Sequence, residues 1–124
     1  MILYDASAFF VHLEKKSIDY TAFILDLTYY EVGNILWKHI CKLKTITLGE
    51  SKEPLQIIQN WQNTISLEKS ELPAILELAA ELGLSFYDAA YVFYAKKHGF
   101  TLHTCDKSLY EKANKAVKME FVRC

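Results

Sequence analysis

Glycine and proline are scarce, four and two residues in a chain of 124, which leaves disordered, low-complexity and collagen-like architectures without support. Arginine is almost missing. Arg123 is the only one among 14 basic residues, the rest are scattered lysines, and the formal charge is −1. No basic patch of the kind that marks a nucleic-acid-binding surface is therefore present, and any contact with a polyanion must be local or assisted by metal. The three cysteines, Cys41, Cys105 and Cys124, are odd in number and lack C-x-x-C spacing, so neither a disulfide framework nor a zinc site is expected and the thiols are read as reduced. No apolar run approaches the roughly 18 residues of a spanning helix. The N-terminus meets a charge at Asp5, so no signal peptide is expected and a cytosolic location is the default. What remains is the composition of an ordinary globular chain, 52% hydrophobic, 23% charged and 14% aromatic. It has no linker and no repeat, and is read as one domain over residues 1–124.

Hydrophobic periodicity divides the chain into alternating strands and helices. Ile2 to Tyr4 is strand-like and runs through Asp5-Ala6-Ser7 into a helix with Phe9, Phe10 and Leu13 on one face. Phe23-Ile24-Leu25 is a second strand. Thr28-Tyr29-Tyr30-Glu31 then has the form of a capping box opening a helix that runs to about Lys42. Leu55, Ile58 and Trp61 mark the next helix, Ile65-Ser66-Leu67 a short strand, and Ala74, Leu78, Ala79 and Leu82 a helix closed by Gly83. Ser85 to Asp88 repeats the capping pattern before a helix ended by His98-Gly99. Phe100 to Thr104 is a strand, Lys107 to Ala116 a helix, and Met119 to Val122 a last strand. Strands separated by helical segments predict right-handed crossovers and an α/β fold: a parallel central sheet of four to five strands with helices on both faces.

Four acids occupy equivalent topological points. Asp5 and Asp106 follow strands, and Glu31 and Asp88 sit in the first turns of helices. In an open parallel sheet such points gather at the carboxyl edge, where ligand crevices form, so acids as far apart as Asp5 and Asp106 can converge. The simpler alternative is that each only caps a helix, a role for which these positions strongly favour such residues.

The segments around the acids resemble the PIN-domain family, and within it the toxin nucleases of the VapC type. Ile2-Leu3-Tyr4-Asp5-Ala6-Ser7 is similar to the family's hydrophobic strand and D-x-S start, and Glu31-Val32-Gly33-Asn34-Ile35-Leu36 to its E-V-x-N-x-L helix. Gly83-Leu84-Ser85-Phe86-Tyr87-Asp88-Ala89 is similar to its G-L-S-x-Y-D-A segment, and Thr104-Cys105-Asp106-Lys107-Ser108-Leu109 to its T-x-D-x-x-L strand end. Each pattern is weak alone; four in the family's order are fairly specific. The resemblance implies a PIN-like α/β/α sandwich and a Mg²⁺- or Mn²⁺-dependent ribonuclease. It also implies a homodimer and an antitoxin protein as partner, RNA as substrate, and Asp5, Glu31, Asp88 and Asp106 as catalytic, metal-holding residues. The chain departs from the family in two respects: only 25 residues separate Asp5 from Glu31, which predicts a truncated helical hairpin, and arginine is nearly absent.

Oxygen-only ligands suit hard divalent cations, and two ions held by such acids can stabilise both oxygens of an in-line phosphodiester displacement. Asp5 and Asp106 are assigned as direct ligands, with Glu31 and Asp88 binding metal or its waters. Ser7 and Thr104, each two residues from an acid, can donate hydroxyl protons to a ligand carboxylate, with a junction cap as the alternative. Asn34, one turn after Glu31, can fix that carboxylate's rotamer or bond the opposing loop. His12, His39, His98 and His103 are too dispersed to declare a metal set, and Lys107 reads as a solvated first-turn lysine or a phosphate contact. Phe86, Tyr87, Tyr91, Phe93 and Tyr94 cover more than one helix face, as core, interface or both. A receiver domain would need an acid pair after the first strand, and a haloacid-type phosphatase D-x-D where this chain has Asp5-Ala6-Ser7. A catalytically silent PIN-like module that binds RNA or protein is the remaining alternative.

Overall fold

The computed structural model describes residues 1–124. Five short strands, β1 (Ile2–Tyr4), β2 (Ile24–Leu25), β3 (Thr64–Ile65), β4 (Thr101–Thr104) and β5 (Met119–Phe121), alternate with six helices: α1 (Ala6–Glu14), α2 (Leu27–Trp37), α3 (Lys52–Gln59), α4 (Leu72–Leu82), α5 (Phe86–His98) and α6 (Lys107–Ala113). All pairings are parallel. β4 lies between β1 and β5, β2 pairs with β3, and a bridge between Leu3 and Phe23 joins the two groups. The bridge carries Tyr4 N–H to Phe23 O at 2.9 Å and Phe23 N–H to Ile2 O at 2.8 Å. The order across the molecule is therefore β3-β2-β1-β4-β5, and the connections reverse direction between β1 and β4.

Neighbouring strand residues point to opposite faces, and the two cores divide accordingly. Leu3, Leu25 and Leu102 pack with Ile75 and Ala79 of α4, Ala89 to Ala95 of α5, and Leu109 and Ala113 of α6. Tyr4 and Ile24 face the other way, onto Phe9 and Phe10 of α1, Val32 and Leu36 of α2, Ile58 of α3, and Trp61. This is the three-layer α/β/α arrangement expected from the alternation of strands and helices. Only α1 and a turn link β1 to β2, in line with the short Asp5–Glu31 spacing.

Three local expectations need correction. Thr28 does not form a capping box with Glu31. The first residue outside α2 is Asp26, which makes no side-chain cap, and the fully buried Thr28 hydroxyl instead accepts Leu25 N–H at 3.2 Å. At Ser85 half of the box forms: its Oγ accepts Asp88 N–H at 3.1 Å. Cys105 and Cys124 are paired, not free, with Cα atoms 5.7 Å apart. Val122 N–H bonds Thr104 O at 2.7 Å, which lays the chain beyond β5 beside the end of β4 and closes a contact invisible in a 19-residue spacing. The helical run of α2 ends at Lys42 as expected, its last five residues, Lys38–Lys42, being a π turn. Two other helix ends moved: α6 ends at Ala113, and Trp61 sits beyond α3, its indole N–H bonding Ala22 O at 2.9 Å.

Candidate active site

The reversal of strand order between β1 and β4 opens a crevice at their carboxyl ends, where an open α/β sheet accepts ligands. A cavity of about 710 Å³ lies there, and its walls include Asp5, Glu31, Asp88 and Asp106 together with Ser7 and Asn34. Asp5 leaves β1, Asp106 follows β4, and α2 and α5 bring Glu31 and Asp88 in from the sides.

Asp5 is the most embedded, 5% exposed. Its Oδ1 accepts Ala8 N–H at 2.8 Å, capping α1, and the Ser7 hydroxyl at 2.7 Å; its Oδ2 accepts the Thr104 hydroxyl at 2.5 Å. Each hydroxyl is oriented by the backbone that leaves β4, since Cys105 N–H donates to Ser7 Oγ at 2.9 Å and Asp106 N–H to Thr104 Oγ1 at 3.0 Å. With their lone pairs so engaged, both hydroxyls direct their protons to Asp5. Burial nevertheless dominates and pushes the Asp5 carboxyl up to about 6, with Asp88 adding repulsion. Burial also raises Asp88, helped by the Asp106 charge, and raises Glu31, with Asp88 contributing. Asp106 caps α6 through Oδ1, which accepts Leu109 N–H at 3.1 Å. Capping and convergence are thus compatible: the cap occupies one oxygen and leaves the other.

Tyr91, read from sequence only as a core or interface aromatic, holds Glu31. Its hydroxyl donates to Glu31 Oε1 at 2.7 Å and lies 2.7 Å from Thr28 Oγ1. Because the single Tyr91 proton goes to Glu31, the Thr28 hydroxyl must donate to Tyr91, its own lone pair receiving Leu25 N–H. The chain of bonds therefore has one direction, from the end of β2 to the carboxylate. Burial and the Glu31 charge hold the Tyr91 phenol well above its ordinary range, so it remains a donor. Asn34 lines the cavity but makes no bond to Glu31; the rotamer role assigned to it belongs to Tyr91. The pairing of a buried aromatic hydroxyl on α5 with an acid on α2 leaves no local sequence signal.

The histidines stay outside the cavity. His12 and His103 approach each other, ring centres 6.3 Å apart beside Tyr4, while His39 stacks on Phe10 and His98 on Phe100. Lys107 does not line the cavity either.

The donor set suits a hard cation. All four groups are carboxylates, none is in a salt bridge, the one ion pair of the structure being Lys97–Glu71, and the cavity wall carries no basic residue. Asp88 is steadied only by the Ser85 hydroxyl, and Glu31 Oε2 and Asp106 Oδ2 are without a protein donor. No three of the acids form a ready-made cage. Mg²⁺ in particular takes one or two carboxylates and keeps several waters, so a cage is not required.

An α/β/α domain with a carboxylate-lined crevice at the switch of its parallel sheet is the class of protein these observations define. Residues 2–115 match the PIN domain family, and the chain belongs to it. It is 35% identical to Exonuclease VapC9 of Pyrobaculum aerophilum over 123 residues, 95% of this chain and 90% of that protein. It is 37% identical to Ribonuclease VapC3 of the same organism over 92 residues, 71% and 68% of the two chains. The crystal structure of PAE2754 from Pyrobaculum aerophilum has a TM-score of 0.79 at 30% identity, covering 94% of this chain and 82% of that one. FitAcB from Neisseria gonorrhoeae, at 18% identity and TM-score 0.61 over 98% and 97% of the chains, shares the fold.

Proposed function

We propose that the chain is a divalent-metal-dependent endoribonuclease that hydrolyses RNA phosphodiester bonds at the four-carboxylate cavity, acting as the toxin of a type II toxin-antitoxin pair. The observation that carries this reading is the convergence of four acids from four elements, none of them in a salt bridge and with no basic residue on the wall, on one crevice of a PIN fold. Such a cluster is repulsive by itself and makes physical sense with a bound cation. Relatives bearing nuclease names support the activity, and their VapC names support the toxin role.

Asp5 and Asp106 would hold Mg²⁺ or Mn²⁺ directly, with Glu31 and Asp88 binding the ion or its waters. When bound, the metal would supply a nucleophile from water at neutral pH and stabilise the charge developing on the scissile phosphate. Ser7 and Thr104 keep Asp5 oriented, and Tyr91 keeps Glu31 in place. Asp88, half-buried and raised by burial and by the Asp106 charge, is the group that would accept a proton from attacking water. A homodimer and a small antitoxin protein are the proposed assemblies; light scattering and co-purification with the product of an adjacent short reading frame test them.

The test has two readouts. A ligand that binds only the folded chain raises its melting temperature, so Mn²⁺ should raise that of wild type and leave Asp106→Asn unchanged. Circular single-stranded RNA, which offers no end to an exonuclease, should be linearised by wild type with Mn²⁺ and not by the variant. Cleavage of linear RNA alone would replace endonuclease by exonuclease, the activity in the VapC9 name. Absence of both metal binding and cleavage would overturn the proposal in favour of a silent binding module.

A further inference from the structure

The cavity wall has no lysine, arginine or histidine, and the chain carries a net charge of −1. A polynucleotide entering it meets four carboxylates on a wall without a cationic side chain, Lys112 acting on Asp88 only from outside it, so charge neutralisation, the usual source of nucleic-acid affinity, is not available from the wall itself. Two tyrosines stand where another source of affinity is needed. Tyr30 is 78% and Tyr87 59% exposed, although aromatic side chains of this size gain most from burial. Both line the cavity. Each immediately precedes a site acid, Tyr30 before Glu31 on α2 and Tyr87 before Asp88 on α5. Neither hydroxyl is hydrogen-bonded within the chain. Tyr30 has no aromatic neighbour, and Tyr87 meets only Phe86, edge to face, which leaves ring faces free. Of the eight tyrosines, Tyr4, Tyr91 and Tyr94 are fully buried, and Tyr20, also exposed, has its ring stacked on Trp61 and does not line the cavity.

Building on the ribonuclease reading, we propose that Tyr30 and Tyr87 are stacking platforms for unpaired nucleobases flanking the scissile phosphate. Stacking on an aromatic face does not depend on charge and is tolerant of base identity. It requires bases freed from a duplex, so the substrate is single-stranded. The two rings then deliver what the electrostatics do not, and the phosphate between the stacked bases is held over the four acids.

The experiment measures binding of fluorescently labelled oligoadenylate, and of an abasic ribose-phosphate oligomer of equal length and charge, by anisotropy in Ca²⁺. Wild type should bind oligoadenylate about tenfold or more tighter than the abasic strand, in keeping with known stacking contributions. Tyr30→Ala and Tyr87→Ala should each lose most of that preference, and Tyr30→Phe and Tyr87→Phe should retain it. With Mn²⁺ and a cleavable strand, the alanine variants should raise KM much more than they lower kcat. Equal binding of the two strands, or alanine variants that bind like wild type, overturns the proposal. So does a changed oligomeric state of the alanine variants by light scattering with unchanged strand binding, which would make the tyrosines an interface between copies. Base-dependent binding without any cleavage would leave the stacking sites standing and remove the nuclease reading instead.

Discussion

Among single residues, the buried Asp5 carboxyl and the Tyr91 hydroxyl carry the most consequence. Raising Asp5 from 3.8 to about 6 corresponds to roughly 3 kcal/mol of preference for the neutral form. The sign follows from linkage: the folded state holds the proton more tightly than the unfolded one, so this stabilisation is complete below about pH 4 and lost as pH rises past about 6. Metal-free wild type should therefore lose stability relative to Asp5→Asn over that interval in urea titrations with EDTA. The comparison with the variant is needed because His12 and His103, lowered by burial, act in the opposite direction. Binding of Mn²⁺ should strengthen over the same interval, since the ligand must be ionised. For Tyr91, loss of the bond to Glu31 should weaken Mn²⁺ affinity about 10–100-fold, the usual effect of removing an outer partner of a ligand. Titration calorimetry should show this for Tyr91→Phe and Thr28→Val, while Thr28→Ser, which keeps the hydroxyl, should bind like wild type. In a Glu31→Gln background Tyr91→Phe should cost little more; full additivity would assign Tyr91 to packing alone.

At the level of the element, the α4–α5 corner decides where Asp88 stands. Gly83 ends α4 at φ 68° and Ser85 caps α5. Alanine at Gly83 must adopt a left-handed conformation and should cost about 1–2 kcal/mol, whereas Gly33, inside α2 with nothing within 4 Å of an added Cβ, should gain roughly 0.5–1 kcal/mol as alanine. Urea denaturation of the two variants checks both signs. These helix ends were legible because a glycine stop and a serine cap act within a few residues. Thr28-x-x-Glu31 misled for the complementary reason: the pattern permits a box, but a buried tyrosine from α5 offered both side chains a partner, and the tertiary bond won. The pairing of Cys105 with Cys124 was illegible in the same way, being set by how β5 docks on β4.

Taken whole, the molecule concentrates four carboxylates at one end of its sheet with only the Lys112 charge acting on one of them, Asp88, from outside the cavity wall. Neutralising one acid while keeping its cap should therefore raise the stability of the metal-free fold, since like charges in one pocket disfavour ionisation. Asp106→Asn is suited to this, as asparagine caps a helix about as well as aspartate. Its melting temperature in EDTA should exceed that of wild type; a marked fall would show that capping dominates clustering. RNA affinity should respond to salt far less steeply than that of a protein gripping many phosphates, a slope readable from binding between 50 and 200 mM salt.

The division between sequence and structure follows the range of the interactions. Alternation within Leu3-Tyr4 and Ile24-Leu25, helical spacing, and the acids at strand ends and first helical turns are local patterns. They sufficed for an α/β/α fold, for its family resemblance and for the four acids that line the cavity. Tertiary structure alone decided that Tyr91 reaches Glu31 across 60 positions, that Tyr30 and Tyr87 stay exposed beside the acids while Tyr91 and Tyr94 are buried, and that two cysteines meet. Each depends on how whole helices and strands dock against one another, and docking is set by packing over the entire core, which no short window of sequence contains.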